Sequence, residues 1–122
     1  IISSILKTLE SGSYINGQNV KKFEENFAKY LGSKYVVGVA NCTDAIFLSL
    51  LAIKVKNKFE VILPALSAPA TLVAILNAGL KPVFAEVNEN DFNLDIDLIK
   101  NKINKNTLAI CNVSLYGQSN KI

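Results

Sequence analysis

Residues 41–44, Asn-Cys-Thr-Asp, set an amide, a thiol, a hydroxyl and a carboxylate side by side between the apolar run YVVGVA at 35–40 and the apolar pattern IFLSLLA at 46–52. Such a handover from strand to helix is where open α/β sheets bind ligands, outside the strands' carboxyl ends and near helix N-termini. A helix N-terminus leaves its first backbone N–H groups without intrahelical partners and carries a partial positive charge, so it needs a cap or offers an anion site. Small polar residues serve both ends. Thr43 can cap the helix with its hydroxyl, or turn that hydroxyl toward a phosphate oxygen beside the freed amides. Asp44 suits the helix dipole but repels a phosphate dianion, so an anion bound here would meet its backbone N–H with the carboxylate pointed away.

Other chemistries are poorly supplied. Cys42 lies where a helix N-terminus could activate a thiol, yet the chain holds no histidine to act as its base, and a small buried thiol is the simpler reading. Cys42 and Cys111 are far apart, form no C-x-x-C and have no histidine to share a metal with, which excludes zinc and Cys/His catalysis within these residues. No G-x-G-x-x-G follows a strand and no G-x-x-x-x-G-K-[ST] is present, so neither a dinucleotide fingerprint nor a P-loop is expected. The net charge of +3 comes from 13 basic and 10 acidic residues, every basic one a scattered lysine; this is a solvated surface without the forked guanidinium that nucleic-acid recognition favours.

The elements that must position residues 41–44 follow from the hydrophobic periods. The chain has 122 residues, 50% hydrophobic, enough for one globular domain with a core. No methionine occurs, and Ile1 opens inside an apolar pattern, as expected of an internal fragment of a longer protein. Val20, Phe23, Phe27, Tyr30 and Leu31 recur at helical spacing, with Asn19 placed as a cap and Gly32 just past the end. Residues 35–40 read as a strand buried on both faces. Then come helix 45–52, strand 60–63, helix 70–78, strand 82–87, a helix capped by Asp95 or Asp97 and running to 103, and strand 108–113. This alternation predicts an α/β fold with a mainly parallel sheet covered by helices and right-handed crossovers. Residues 61–80 carry no charge over a length that could span a bilayer, but Pro64 and Pro69 divide them into a short strand, a turn and a buried helix ending at Gly79. No membrane association is expected. The opening residues carry no signal-peptide pattern, which points to the cytoplasm.

Three stretches, SGSYINGQNVKKFEENFAKYLGSKYVVGVANCTDAIFLSLLAI, EVILPALSAPATLVAILNAGLKPVFAEV and LYGQ, closely resemble in order and spacing the N-terminal part of the DegT/DnrJ/EryC1/StrS family. Those proteins are pyridoxal 5'-phosphate-dependent aminotransferases of fold type I that mostly aminate nucleotide-linked keto-sugars. The resemblance implies a three-layer sandwich, with residues 1–34 as an N-terminal helical segment and 35–122 as part of the cofactor-binding large domain, incomplete at its C-terminal end. It also implies an amino-acid donor such as glutamate, and a homodimer whose partner faces the turn at 11–17.

Carried over residue by residue, the family's N-G-T-D-A matches residues 41–45, so Thr43 and the Asp44 amide would hold the cofactor phosphate, with Cys42 standing where glycine is usual. The P-x-x-T-aromatic-x-A-T stretch matches Pro64, Ser67, Ala68, Ala70 and Thr71, which puts Ala68 where an aromatic ring commonly stacks on the cofactor. H-L-Y-G-Q matches 114–118, with Ser114 in place of histidine and Tyr116 near the site. The lysine that links to the cofactor and the aspartate that pairs with its ring nitrogen both come later in the family's sequences, so no catalytic residue is assigned here. A sugar dehydratase, in which histidine replaces that lysine, and a non-catalytic descendant of the fold are the alternatives.

Overall fold

The structure is a computed structural model that describes residues 1–119. The chain divides into two compact units, Ile1–Val39 and Ala40–Ile122.

The first unit holds α1 (Ile2–Ser11) and α2 (Gln18–Leu31). Gly12 and Gly32 end these helices at φ 66, the left-handed region that glycine enters without steric cost. The expected cap Asn19 is corrected: Gly17 takes the N-cap position, and the Asn19 Nδ2 donates instead to Thr8 Oγ1 on α1 at 2.8 Å. Along α2, Phe23, Phe27 and Tyr30 stack with ring centroids 5.4 and 6.1 Å apart, yet Phe23 and Tyr30 stay exposed. The strand expected at 35–40 does not form. A strand exists only as one side of a ladder, and among the described residues nothing pairs with this run; the Gly38 N–H donates instead to the Glu24 carboxylate at 2.6 Å. Val37 is 76% exposed, so the β-branched run is apolar without being buried.

The second unit follows the expected alternation. In order come α3 (Cys42–Ile53), β1 (Glu60–Pro64), α4 (Pro69–Asn77), β2 (Lys81–Ala85), α5 (Ile96–Lys100) and β3 (Thr107–Ile110), then a 3-10 turn at Leu115–Gly117. The sheet order is β2-β1-β3 and both pairings are parallel, with Ile62 opposite Val83 on one side and Ile110 on the other. Strands β2 and β3 each begin one residue before the expected 82–87 and 108–113 and end sooner, β2 where its ladder with the five-residue β1 ends and β3 after pairing only as far as Ile62.

Every residue of β1 is buried. Its alternating side chains enter two cores: Val61 and Leu63 pack with Leu50 of α3 and Ile75 of α4, while Ile62 packs with Ala85, Leu94 and Ile99 of α5. Helices therefore cover both faces of a parallel sheet, the α/β arrangement the alternation predicts and the three-layer sandwich the resemblance implies. Residues 61–80 resolve into β1, a turn and a nine-residue α4 with Pro69 in its first turn. No helix among the described residues is long and apolar enough to cross a membrane.

At the amino edge of the sheet the buried Glu60 accepts from Lys81 Nζ at 2.8 Å and from Asn104 Nδ2 at 2.8 Å, tying the starts of β1 and β2 to the turn before β3. These bonds, the lysine's first and then the asparagine's, hold the Glu60 pKa below its ordinary value. A depressed carboxylate contributes stability that is present above its unfolded pKa and is lost as pH falls through the folded one. In the full-length protein, Glu60→Gln should lower the melting temperature at neutral pH and flatten its decline on acidification below the ordinary glutamate range. Identical acid slopes for the two proteins would refute a stabilising role for this cluster.

Candidate functional site at the carboxyl edge of the sheet

Because the three strands are parallel, the segments that leave β1 and β3 emerge on one edge. Helix α3 reaches β1 through the short connection 54–59, so its C-terminus lies toward the amino edge and its N-terminus toward the carboxyl edge. The start of α3 (Cys42, Thr43, Asp44), the loop after β1 (Ser67, Ala68) and the turn after β3 (Tyr116) thus share one side of the sheet. No hydrogen bond joins these three groups among the described residues.

Asn41, in extended conformation at φ −161, is the N-cap of α3. Its Oδ1 accepts from the Asp44 N–H at 2.9 Å and its Nδ2 donates to Asp44 Oδ2 at 2.9 Å, a reciprocal clasp across the first turn. Of the two roles left open for Thr43, the cap falls on this geometry. A capping side chain belongs to the half-in residue ahead of the first turn, and Thr43 already lies inside the helix. The Asp44 N–H, expected to meet an anion, is engaged by Asn41. What remains without a partner among the described residues is the Cys42 N–H, the Thr43 N–H and the Thr43 hydroxyl. The clasp also turns the Asp44 carboxylate back onto Asn41, where the amide N–H neutralises part of its repulsion for an incoming anion.

Pro64 ends β1 in the buried core, and the next residue leaves through an Ala65 N–H bond to Ala85 O at 2.8 Å. Ala68 caps α4 with backbone alone, its carbonyl accepting from the Thr71 N–H at 3.1 Å. Pro69 in the first turn has no N–H to satisfy, so this helix start asks less of a capping side chain than α3 does. The Ser67 hydroxyl makes one long contact, 3.4 Å to Ala68 O. Tyr116 lies in the turn after β3 at φ 55, a left-handed conformation uncommon for a residue with a side chain, and is 99% exposed. Its ring touches none of the other predicted site residues.

Two residues at this edge carry more than the sequence assigned them. Asn41, given no separate role from spacing, holds the whole first turn of α3; its position just ahead of the helical pattern was the available signal. Cys111, which follows β3 and donates its N–H to Ile62 O at 2.7 Å, is half-buried, and its thiol pKa is raised first by burial and then by the nearby Cys42. Sixty-odd residues and no metal-ligand pattern separate the two cysteines, so nothing in the sequence brings them together. Among the described residues no group of three or more His, Cys, Asp or Glu side chains could hold a metal.

Comparison with known proteins gives this edge a context. The profile of the DegT/DnrJ/EryC1/StrS aminotransferase family matches residues 1–122. A dTDP-3-amino-3,4,6-trideoxy-alpha-D-glucose transaminase of Micromonospora megalomicea subsp. nigra is 39% identical over 118 residues, covering 97% of this chain and 32% of that enzyme. NtdA of Bacillus subtilis, solved with bound cofactor PMP, superimposes with a TM-score of 0.91 at 33% identity, over 98% of this chain and 28% of that one. An E. coli GDP-4-keto-6-deoxy-D-mannose-3-dehydratase with bound hydrated PLP gives a TM-score of 0.85 at 33% identity, over 95% of this chain and 31% of that one. The chain spans about a third of the length of these relatives.

Replacing Asn41 with alanine removes both bonds of the clasp and should cost the full-length protein about 1 kcal/mol, while Asn41→Ser retains most of it. Hydrogen exchange at the Asp44 amide reads this directly: it should quicken in Asn41→Ala and stay near wild type in Asn41→Ser. Unchanged exchange in the alanine variant would mean that the clasp does not hold the turn.

Proposed function

The chain belongs to the DegT/DnrJ/EryC1/StrS aminotransferase family, and from that premise we propose that it forms the phosphate-binding part of a pyridoxal 5'-phosphate-dependent enzyme that aminates a nucleotide-linked keto-sugar. The observation that carries this reading is the start of α3, where two backbone N–H groups and the Thr43 hydroxyl stand free beside a cap that leaves them free. Three donors at the positive end of a twelve-residue helix match the acceptor oxygens of a phosphate ester. The phosphate end of the cofactor therefore fits the residues present. At the ring end the fit is thinner: Ser67 and Ala68 supply a hydroxyl and a methyl group, and no aromatic face.

When bound, pyridoxal phosphate supplies the electron-withdrawing ring that carries an amino group between donor and acceptor. The residues of this chain bind and orient. Thr43 donates its hydroxyl and N–H to the phosphate, Cys42 donates its N–H, and the clasped Asp44 holds the first turn in register while its carboxylate stays on Asn41. Ser67 and Ala68 would border the ring, and Tyr116, in the turn after β3, would complete the cofactor-binding set. The residues that hold the amine and move its proton lie outside this chain's assigned positions, since none of its lysines matches the family's cofactor-linking one. Glutamate is the donor we assign, the assembly a homodimer with the turn at 11–17 toward the partner, and the compartment the cytoplasm, where a nucleotide-linked sugar would be met.

A second reading, sugar dehydration, is favoured by the likeness to the E. coli dehydratase. It shares the same phosphate cradle and differs in the downstream residue that meets the cofactor, lysine for amine transfer and histidine for dehydration.

The cradle is tested by Thr43→Ala in the full-length protein. Loss of a charge-assisted hydrogen bond of about 1.5–3 kcal/mol should weaken pyridoxal phosphate binding by roughly tenfold or more, read by equilibrium titration. Equal affinity in both proteins would remove Thr43 from the cradle. A full-length protein that shows no cofactor absorbance, and retains none after borohydride reduction, would instead support the non-catalytic descendant to which Ala68 points.

A further inference from the structure

The two cysteines, whose thiols play no part in the proposed cradle, stand at the same edge of the second unit. On α3, Cys42, Ala45, Ile46 and Ser49 follow one another at three- and four-residue steps and share one helix face. Ala45, Ile46 and Ser49 of that face line an apolar groove of about 320 Å³ against Ala109, Ile110 and Cys111 of the β3 side. Cys42 is the next position along the face, toward the carboxyl end of β3, and Cys111 directly follows β3, its N–H still bonded to Ile62 O of β1. Burial first, and then Cys42, raise the Cys111 thiol pKa, in keeping with that placement. Cys42 is exposed and Cys111 half-buried, so a solute oxidant meets Cys42 first and leaves Cys111 as a protonated thiol in reserve.

We propose that Cys42 and Cys111 form a peroxide-oxidised dithiol that closes to a disulfide across the carboxyl end of the α3–β3 groove. In the first step the Cys42 sulfur attacks one oxygen of hydrogen peroxide. The O–O bond breaks, Cys42 becomes a sulfenic acid, and the other oxygen leaves as water after taking the thiol proton. In the second step the Cys111 sulfur attacks the Cys42 sulfur. The S–S bond forms, the S–O bond breaks, and the sulfenic oxygen leaves as a second water with the Cys111 proton. Two thiols are oxidised by loss of two hydrogens, and one peroxide is reduced to two waters. A thiol reductant reverses the change. The inference stands on the shared edge of the two residues, beside the groove that Cys111 lines, and not on the cofactor reading.

Peptide mapping of the native full-length protein decides it. After brief treatment with hydrogen peroxide, alkylation and digestion, one peptide pair joined through Cys42 and Cys111 should appear, lighter by about 2 Da than its two free halves, and dithiothreitol should release it. In Cys111→Ser the pair should vanish, and dimedone should trap Cys42 as its sulfenic acid. Recovery of both wild-type cysteines alkylated, or separately oxidised with no joined peptide, overturns the proposal. The wild-type map separates these outcomes even if the serine variant fails to fold.

Discussion

Burial of β1 is the constraint on which the second unit depends. Val61, Ile62 and Leu63 are fully buried in a strand with parallel neighbours on both sides, so its backbone groups are met by ladders and each of its faces requires a layer of its own. Leu50 and Ile75 meet one face, Leu94 and Ile99 the other. The same parallel alignment gives the sheet two unlike edges. At the amino edge stands the Glu60 cluster with Lys81 and Asn104, which fixes where the strands begin. The opposite edge receives helix starts and post-strand loops, the parts of the backbone with N–H groups left to offer.

Among those helix starts, α3 and α4 solve the same problem differently. α4 begins with Pro69 behind a backbone-only cap, which removes one donor outright. α3 begins with a side-chain clasp that engages the Asp44 amide and leaves the two amides before it unpaired. The difference lies in a few residues: Asn41 ahead of the turn for one helix, Ala68 and Pro69 for the other. Only the first leaves a helix N-terminus rich in free donors, and small side chains at Cys42 and Thr43 leave the approach to it open.

Much of this was legible in the residue order. The succession of helix and strand periods from 45 onward, the proline-marked turn after β1, the glycine stops at Gly32 and Gly79 and the Asp95 cap of α5 all appear close to where the patterns put them. Two misreadings have a common origin. Residues 35–40 have the composition of a buried strand but no ladder partner, and Asn19 has the composition of a cap but a hydroxyl of Thr8 within reach. Composition states what a segment tolerates, and the partner that completes it comes from elsewhere in the chain.

By itself, then, the sequence determined the class of fold and the address of a candidate site, because hydrophobic period and turn chemistry are local properties that each segment carries with it. The family resemblance added the cofactor expected at that address. Only the tertiary structure decided which donors are free. The clasp that takes the Asp44 amide from an anion and leaves Thr43 open depends on the orientation of the Asn41 side chain, and the groove that sets Cys111 opposite Ala45 and Ile46 depends on where α3 lies beside β3. Both are matters of angle and distance between groups, which residue types and spacings do not encode until the parallel sheet has set its edges.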